Sequence, residues 1–210
     1  MKEIAKNVAK KLLEINAIKL NVESPFTWAS GWKSPIYCDN RLSLSYPEVR
    51  SYIKNQLAES VKKNFSDVEA IAGVATAGIP QGALVAETLN IPFIYVRSKP
   101  KGHGMENMIE GKITSGQKVI VIEDLVSTGG SSLKAVEALK ACNISVLGML
   151  SIFTYGFSAA EQNFKAADIK LISLSNYSDL IEEALKLNYI SEKEISSLKQ
   201  WREKPSEWRL

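Results

Sequence analysis

The chain has 210 residues, enough for one domain with a small appendage and a sizeable core. Hydrophobic residues make up 45% and charged residues 23%, an ordinary globular composition, and a net charge of +3 demands neither nucleic acid nor membrane as a partner. Two cysteines, Cys38 and Cys142, make neither a disulfide framework nor a zinc set and point to a reducing compartment, and no apolar run approaches the ~20 residues of a membrane span.

The first element is an amphipathic helix expected over residues 2–19: Ile4, Val8, Leu12 and Ile15 form a stripe and lysines fill the other face. The stripe lacks large aromatics, which favours packing on the chain's own domain over a membrane anchor or signal peptide. Residues 20–46 read as irregular, rich in Ser, Pro, Gly and aromatics. Ser45 and Glu48 fit a capping box, with Pro47 allowed in the first turn of a helix running to about Lys63. Short apolar runs follow at 70–74, 92–96, 119–122 and 145–153, with a weaker one at 169–174. Helical patterns at 80–89, 131–141 and roughly 157–166 separate them. Apolar runs without alternation, separated by helices, mean parallel strands buried on both faces. The fold class is therefore α/β, with an open, mainly parallel, doubly wound sheet. Its ligands belong in the loops at the carboxyl ends of strands. Residues 176–187 and 191–201 read as two further helices, with Trp201 and Trp208 as packing anchors and a structural or dimer-contact role as the default. The whole chain, 1–210, is expected to be one domain. Its appendages are an N-terminal segment over 1–46 and a helical extension over 175–210.

The most informative segment is VIVIEDLVSTGGSSLKAVEALKAC, residues 119–142. Ser127, Thr128, Gly129, Gly130 and Ser131 surround the start of a helix, where free N–H groups and the helix dipole make a phosphate cradle. Glu123 and Asp124 stand at the strand end beside it. Two carboxylates there would repel a bare anion, but they suit neutral hydroxyls, such as those of a ribose, or help with a metal. A Ser/Gly turn with a good helix cap is the blander reading, and the paired acids weigh against it. Neither a Walker A loop nor a Rossmann fingerprint is present. The loop after the second strand, YVRSKPKGHGMENMIEG, holds Arg97, Lys99, Lys101 and the single histidine, His103, between Gly102 and Gly104. Cations on a segment without apolar periodicity suit a polyphosphate and a closing lid.

These segments carry a resemblance. EDLVSTGGSS resembles the signature of type I phosphoribosyltransferases, which bind 5-phosphoribosyl 1-diphosphate (PRPP). The basic loop resembles the catalytic loop of the orotate phosphoribosyltransferase family, with an Arg, a Lys and a His at the positions of Arg97, Lys101 and His103. GVATAGIPQGALVAETLNIP resembles that family's pyrophosphate loop and the helix after it. PFTWASGWKSPIYCDNR resembles its N-terminal segment over the base site, so the likeness spans most of residues 20–155. The chain departs from other branches at Ala29, Ala77 and Tyr155–Gly156, where those branches carry lysines or an arginine. Lys33, Arg41 or backbone amides are the candidates to replace those anion contacts.

The resemblance implies transfer of the phosphoribosyl group of PRPP to orotate, giving orotidine 5′-monophosphate and pyrophosphate. It implies catalytic roles for Lys101, His103 and Asp124. It implies PRPP contacts from Arg97, Lys101, His103, Glu123, Asp124, Leu125, Val126, Ser127, Thr128, Gly129, Gly130 and Ser131, with Ser127 also touching orotate. His103, with an ordinary pKa of about 6.5, suits either charge stabilisation or proton supply. Mg²⁺ is expected to bind mainly through PRPP, with no metal-ligand set in the chain itself. A homodimer with the lid shared across subunits is expected, without nucleic acid or membrane partners, in the cytoplasm. Tyr37 suits the base pocket or ordinary packing. The rivals are a phosphoribosyltransferase for a purine or uracil, and a PRPP-sensing RNA-binding regulator, which calls for a broad basic face.

Overall fold

The computed structural model describes residues 2–28, 30–99 and 108–208. Helix α1 (Lys2–Glu14) is followed by β1 (Ile18–Leu20), β2 (Phe26–Thr27), β3 (Lys33–Ser34), β4 (Ile36–Cys38), a 3₁₀ turn (Asn40–Ser45) and α2 (Pro47–Asn64). Then come β5 (Ala70–Val74), α3 (Gly78–Leu89), β6 (Phe93–Val96), β7 (Ile109–Glu110), β8 (Lys118–Val126) and α4 (Gly130–Ala141). The chain closes with β9 (Ser145–Thr154), α5 (Ser158–Ala166), β10 (Leu171–Asn176), α6 (Tyr177–Lys186), a short 3₁₀ turn and α7 (Ile195–Glu203).

Among the described residues six strands form the main sheet, in the order β10-β9-β8-β5-β6-β7. All its pairs are parallel except β6 with the two-residue β7. The expected open, doubly wound sheet is what the chain builds. The apolar run of β8 shows why it reads as continuous. Ile120 and Ile122 join the core that contains α1, α2 and α6, whereas Val119 and Val121 join the core that contains α4. All four are fully buried, and each such side chain stabilises the fold by roughly 1.5–3 kcal/mol.

Three boundaries differ from the sequence reading. Helix α1 ends at Glu14 because Asn16 turns left-handed at φ 56°, and residues 18–20 become a strand. Ser45 does not cap α2: it closes the 3₁₀ turn, and Tyr46 takes the cap position without a side-chain hydrogen bond. The segment 20–46 is not irregular throughout. It folds as two small antiparallel pairs, β1 with β4 and β2 with β3, forming a hood. Strand β8 also runs four residues past the predicted end, so Glu123 and Asp124 belong to the strand itself.

Candidate active site

Order reverses between β5 and β8, the two strands that carry the chain outward in opposite directions along the sheet. Such a switch point opens a crevice at the carboxyl ends of the strands. The register makes the opening concrete. Pairing of β8 with β5 stops at Ile122, opposite Gly73, while pairing with β9 continues to Val126. Residues 123–126 therefore face the crevice on one side. Helix α3 packs hard against this corner. A Cβ on Gly78 would stand 2.5 Å from the Ile122 carbonyl oxygen, so glycine is required there.

A cavity of about 420 Å³ fills the crevice. The turn after β5 (Val74–Ala77, with a cis peptide between Ala75 and Thr76), Arg97 and Ser98 after β6, and residues 123–125 of β8 line it. Ser131, Lys134 and Ala135 of α4 complete the wall. Helix α4 starts at Gly130, and Gly129 before it has φ 82° and no side-chain cap. A Cβ on Gly129 would meet the Phe164 ring at 2.6 Å, so two separate constraints select glycine. Side chains thus leave the first amides of α4 to an incoming anion.

The two acids differ. Glu123 is 6% exposed, its Oε2 accepts from Ser132 Oγ at 2.8 Å and its Oε1 from the Asp124 amide at 3.0 Å. Burial, reinforced by the Asp124 carboxylate, pushes the Glu123 carboxyl up to about 8. Burial raises Asp124 as well, against hydrogen bonds from Glu123 and backbone amides. Glu123 therefore keeps its proton at neutral pH, and the two acids titrate as one coupled pair.

A second cavity of about 310 Å³ adjoins the first and shares Leu125 with it. Thr27, Trp28, Tyr37 and Cys38 of the hood line it, with Ser127 after β8 and Tyr155 after β9. The ring centroids of Trp28 and Tyr155 lie 5.1 Å apart with their planes tilted by 38°, forming an aromatic wall. Just after the hood, a side chain of the 3₁₀ turn reaches strand β8: Asn40 Nδ2 donates to the Asp124 carbonyl oxygen at 2.8 Å.

The other expected site residues fall as follows. Arg97 lines the larger cavity and is ion-paired to Glu110 at 3.1 Å. Val126 turns its side chain into the core, and its carbonyl accepts from the Tyr155 amide and Thr154 Oγ1. The Thr128 carbonyl accepts from Asn163 Nδ2 at 3.0 Å. Lys101, His103 and Ala29 lie outside the described residues. Ala77 does line the larger cavity and Tyr155 the smaller one. Of the proposed replacements, Arg41 is committed to Asp39, holding that carboxyl below its usual range, and Lys33 donates to Thr27 Oγ1. Lys134 is the cation that sequence reasoning missed in the cavity wall. It sits on the exposed face of α4, where its pattern is that of any solvated lysine. Ser132 left a readable trace, a hydroxyl on the apolar stripe of α4. Asn40 left none.

With this geometry in view, comparison with known proteins is decisive. A family model described as phosphoribosyl transferase domain matches residues 43–186. An orotate phosphoribosyltransferase of Porphyromonas gingivalis is 57% identical over 208 residues, covering 99% of each chain. The chain belongs to the orotate phosphoribosyltransferase family. A second member, from Cytophaga hutchinsonii, is 58% identical over 204 residues, 97% of this chain and 98% of its own. Among solved structures, the orotate phosphoribosyltransferase of Aeropyrum pernix superposes with TM-score 0.75 at 30% identity, over 88% of this chain and 99% of its own. The family model begins within the 3₁₀ turn and ends with α6. The hood strands and α7 lie outside it.

Proposed function

We propose that the 420 Å³ cleft takes PRPP and the 310 Å³ aromatic pocket takes orotate, so that the reacting carbon sits beside Leu125, the wall common to both. The chain is an orotate phosphoribosyltransferase, forming orotidine 5′-monophosphate and pyrophosphate in pyrimidine biosynthesis. The observation that carries the site assignment is the adjacency of an anion cradle and an aromatic-lined pocket on one sheet edge.

The barrier is cleavage of the bond from C1′ to pyrophosphate, through an oxocarbenium-like transition state. Residues 127–131 hold the 5′-phosphate on the amides opening α4. Asp124 accepts from the ribose hydroxyls and opposes the positive charge that grows on the ring. Neutral Glu123 holds Asp124 in place and spares the diphosphate a second negative charge. Arg97 and Lys134 face the leaving group, and Lys101 and His103 join them from the lid. Glu110 fixes Arg97 at the lid stem. Among the described residues there is no cluster of three or more His, Cys, Asp or Glu. Mg²⁺ carried by PRPP would lie in the cleft that Asp124 lines, and would supply neutralisation of charge on the pyrophosphate. The working unit is a homodimer in which each lid completes the neighbouring site. No described helix is long and apolar enough to cross a membrane.

The test follows orotate by its ultraviolet absorbance with PRPP and Mg²⁺, beside adenine, hypoxanthine and uracil. Orotate loss that requires both PRPP and Mg²⁺ supports the reading. Turnover of a different base keeps the PRPP cleft and overturns the acceptor assignment.

A further inference from the structure

The two segments outside the shared phosphoribosyltransferase domain meet each other. Trp201 of α7 is fully buried, and its indole N–H donates to the Lys33 carbonyl oxygen of hood strand β3, 168 residues away, at 3.2 Å. Its ring stands 5.6 Å from Trp28 and 5.7 Å from Tyr155, edge-on to both. Those two side chains are the aromatic wall of the smaller pocket, and Trp201 lies behind them. Trp28 is fixed on its other side by donating to the Ile36 carbonyl at 3.1 Å. The next residue of α7 acts on the Tyr155 side of the same wall: Arg202 Nη2 donates to the carbonyl of Gly156 at 3.1 Å, immediately after Tyr155. Gly156 has φ 65°, so the turn that presents Tyr155 has a left-handed residue held from outside by this guanidinium.

From these contacts we propose that Trp201 and Arg202 are positioning residues for the acceptor base. Helix α7 clamps the hood to the turn after β9 and sets the spacing of the Trp28–Tyr155 wall. The PRPP cleft needs no such clamp, because its wall is the sheet edge and α4. The C-terminal helix therefore governs recognition of a planar pyrimidine and leaves PRPP binding alone. This rests on the assignment of orotate to the 310 Å³ pocket.

Steady-state kinetics on three variants of the full chain, with thermal melting as control, decide the matter. Trp201→Phe keeps a ring and removes the N–H that reaches Lys33. Arg202→Met keeps the aliphatic stem and removes the donors to Gly156. Ser127→Ala alters the orotate pocket directly. A rise of about five- to tenfold in KM for orotate with Trp201→Phe, and about threefold with Arg202→Met, is expected from losing one hydrogen bond each. KM for PRPP stays within about twofold in the two α7 variants, because neither Trp201 nor Arg202 lines the PRPP cleft. Should Trp201→Phe fail to fold, Arg202→Met decides alone. A lowered Tm with both KM values unchanged marks α7 as a structural helix and overturns the proposal, as does an equal rise in both KM values. If Ser127→Ala raises KM for orotate and the α7 variants do not, the pocket assignment stands and the clamp falls. If none of the three does, the pocket assignment itself falls.

Discussion

The cleft at the sheet edge and the aromatic pocket, proposed for PRPP and the acceptor, share a wall at Leu125 and are built on opposite plans. The cleft comes from segments 74–77, 97–98 and 123–135, and its parts are strand ends, backbone amides and a buried pair of acids. The pocket comes from residues 27–28, 37–38, 125, 127 and 155, and its parts are aromatic side chains braced by other aromatic side chains. The first is rigid because the sheet is rigid. The second is only as well placed as the hood, which is made of strands of two or three residues seated on the core by Ile18 and Ile36 and tied to α7 through the Trp201–Lys33 hydrogen bond. On the proposed assignment, the chemistry common to many acceptors sits on the sheet edge and the choice of acceptor sits on the hood.

Several changes break this contrast, and the largest concerns the lid. Lys101→Ala lowers kcat by about 10²–10³ with Tm unchanged, the scale of losing one transition-state donor. Mixing that variant with Asp124→Ala regenerates about a quarter of the wild-type activity if the lid is shared across a two-fold dimer, because half of the hybrid sites are intact. No recovery means that each lid serves its own subunit. Next is Asp124→Ala alone, which reduces kcat/KM for PRPP by about 10–100-fold through lost charge-assisted hydrogen bonds. Orotate binding, measured by calorimetry, changes little. Equal damage to both substrates would dissolve the division between cleft and pocket.

Gly129→Ala tests the rigidity of the cleft. Its φ of 82° and the Phe164 ring at 2.6 Å from a new Cβ cost about 2 kcal/mol or more, read as a Tm lower by several degrees. The smallest effect concerns pH. Glu123 holds its proton to about 8 in the folded chain and to about 4.5 in the unfolded one. Between those values the folded state binds the extra proton, so its stability falls as pH rises and levels off above about 8. Asp124, also raised, acts in the same direction. Glu123→Gln flattens that decline in urea unfolding midpoints. A slope unchanged by the substitution would show that the acid pair does not share its charge as described.

Much of this was legible in order along the chain. Runs such as Val119–Ile122 lack alternation because both faces of the sheet are covered, and that pattern survives in any single sequence. The phosphate cradle was legible because glycine, hydroxyl and acid must be consecutive where a strand turns into a helix. Lys134 was not, since nothing distinguishes a lysine that borders a cleft from one that borders water. Asn40 was not, since its partner is a backbone carbonyl 84 residues away. The capping box at Ser45 and Glu48 was misread because a 3₁₀ turn competes for the same residues.

By itself, then, the sequence determined the α/β class, the order of the main parallel strands and their helices, and the family, because each is written in local periodicity or contiguous motif. The tertiary structure alone decided which strand neighbours which, how far β8 outruns β5 to open the cleft, and that Trp201 stands behind the acceptor wall. Local spacing constrains a residue's neighbours along the chain. Packing across more than a hundred residues is settled by how whole faces fit, and no stretch of sequence holds that information alone.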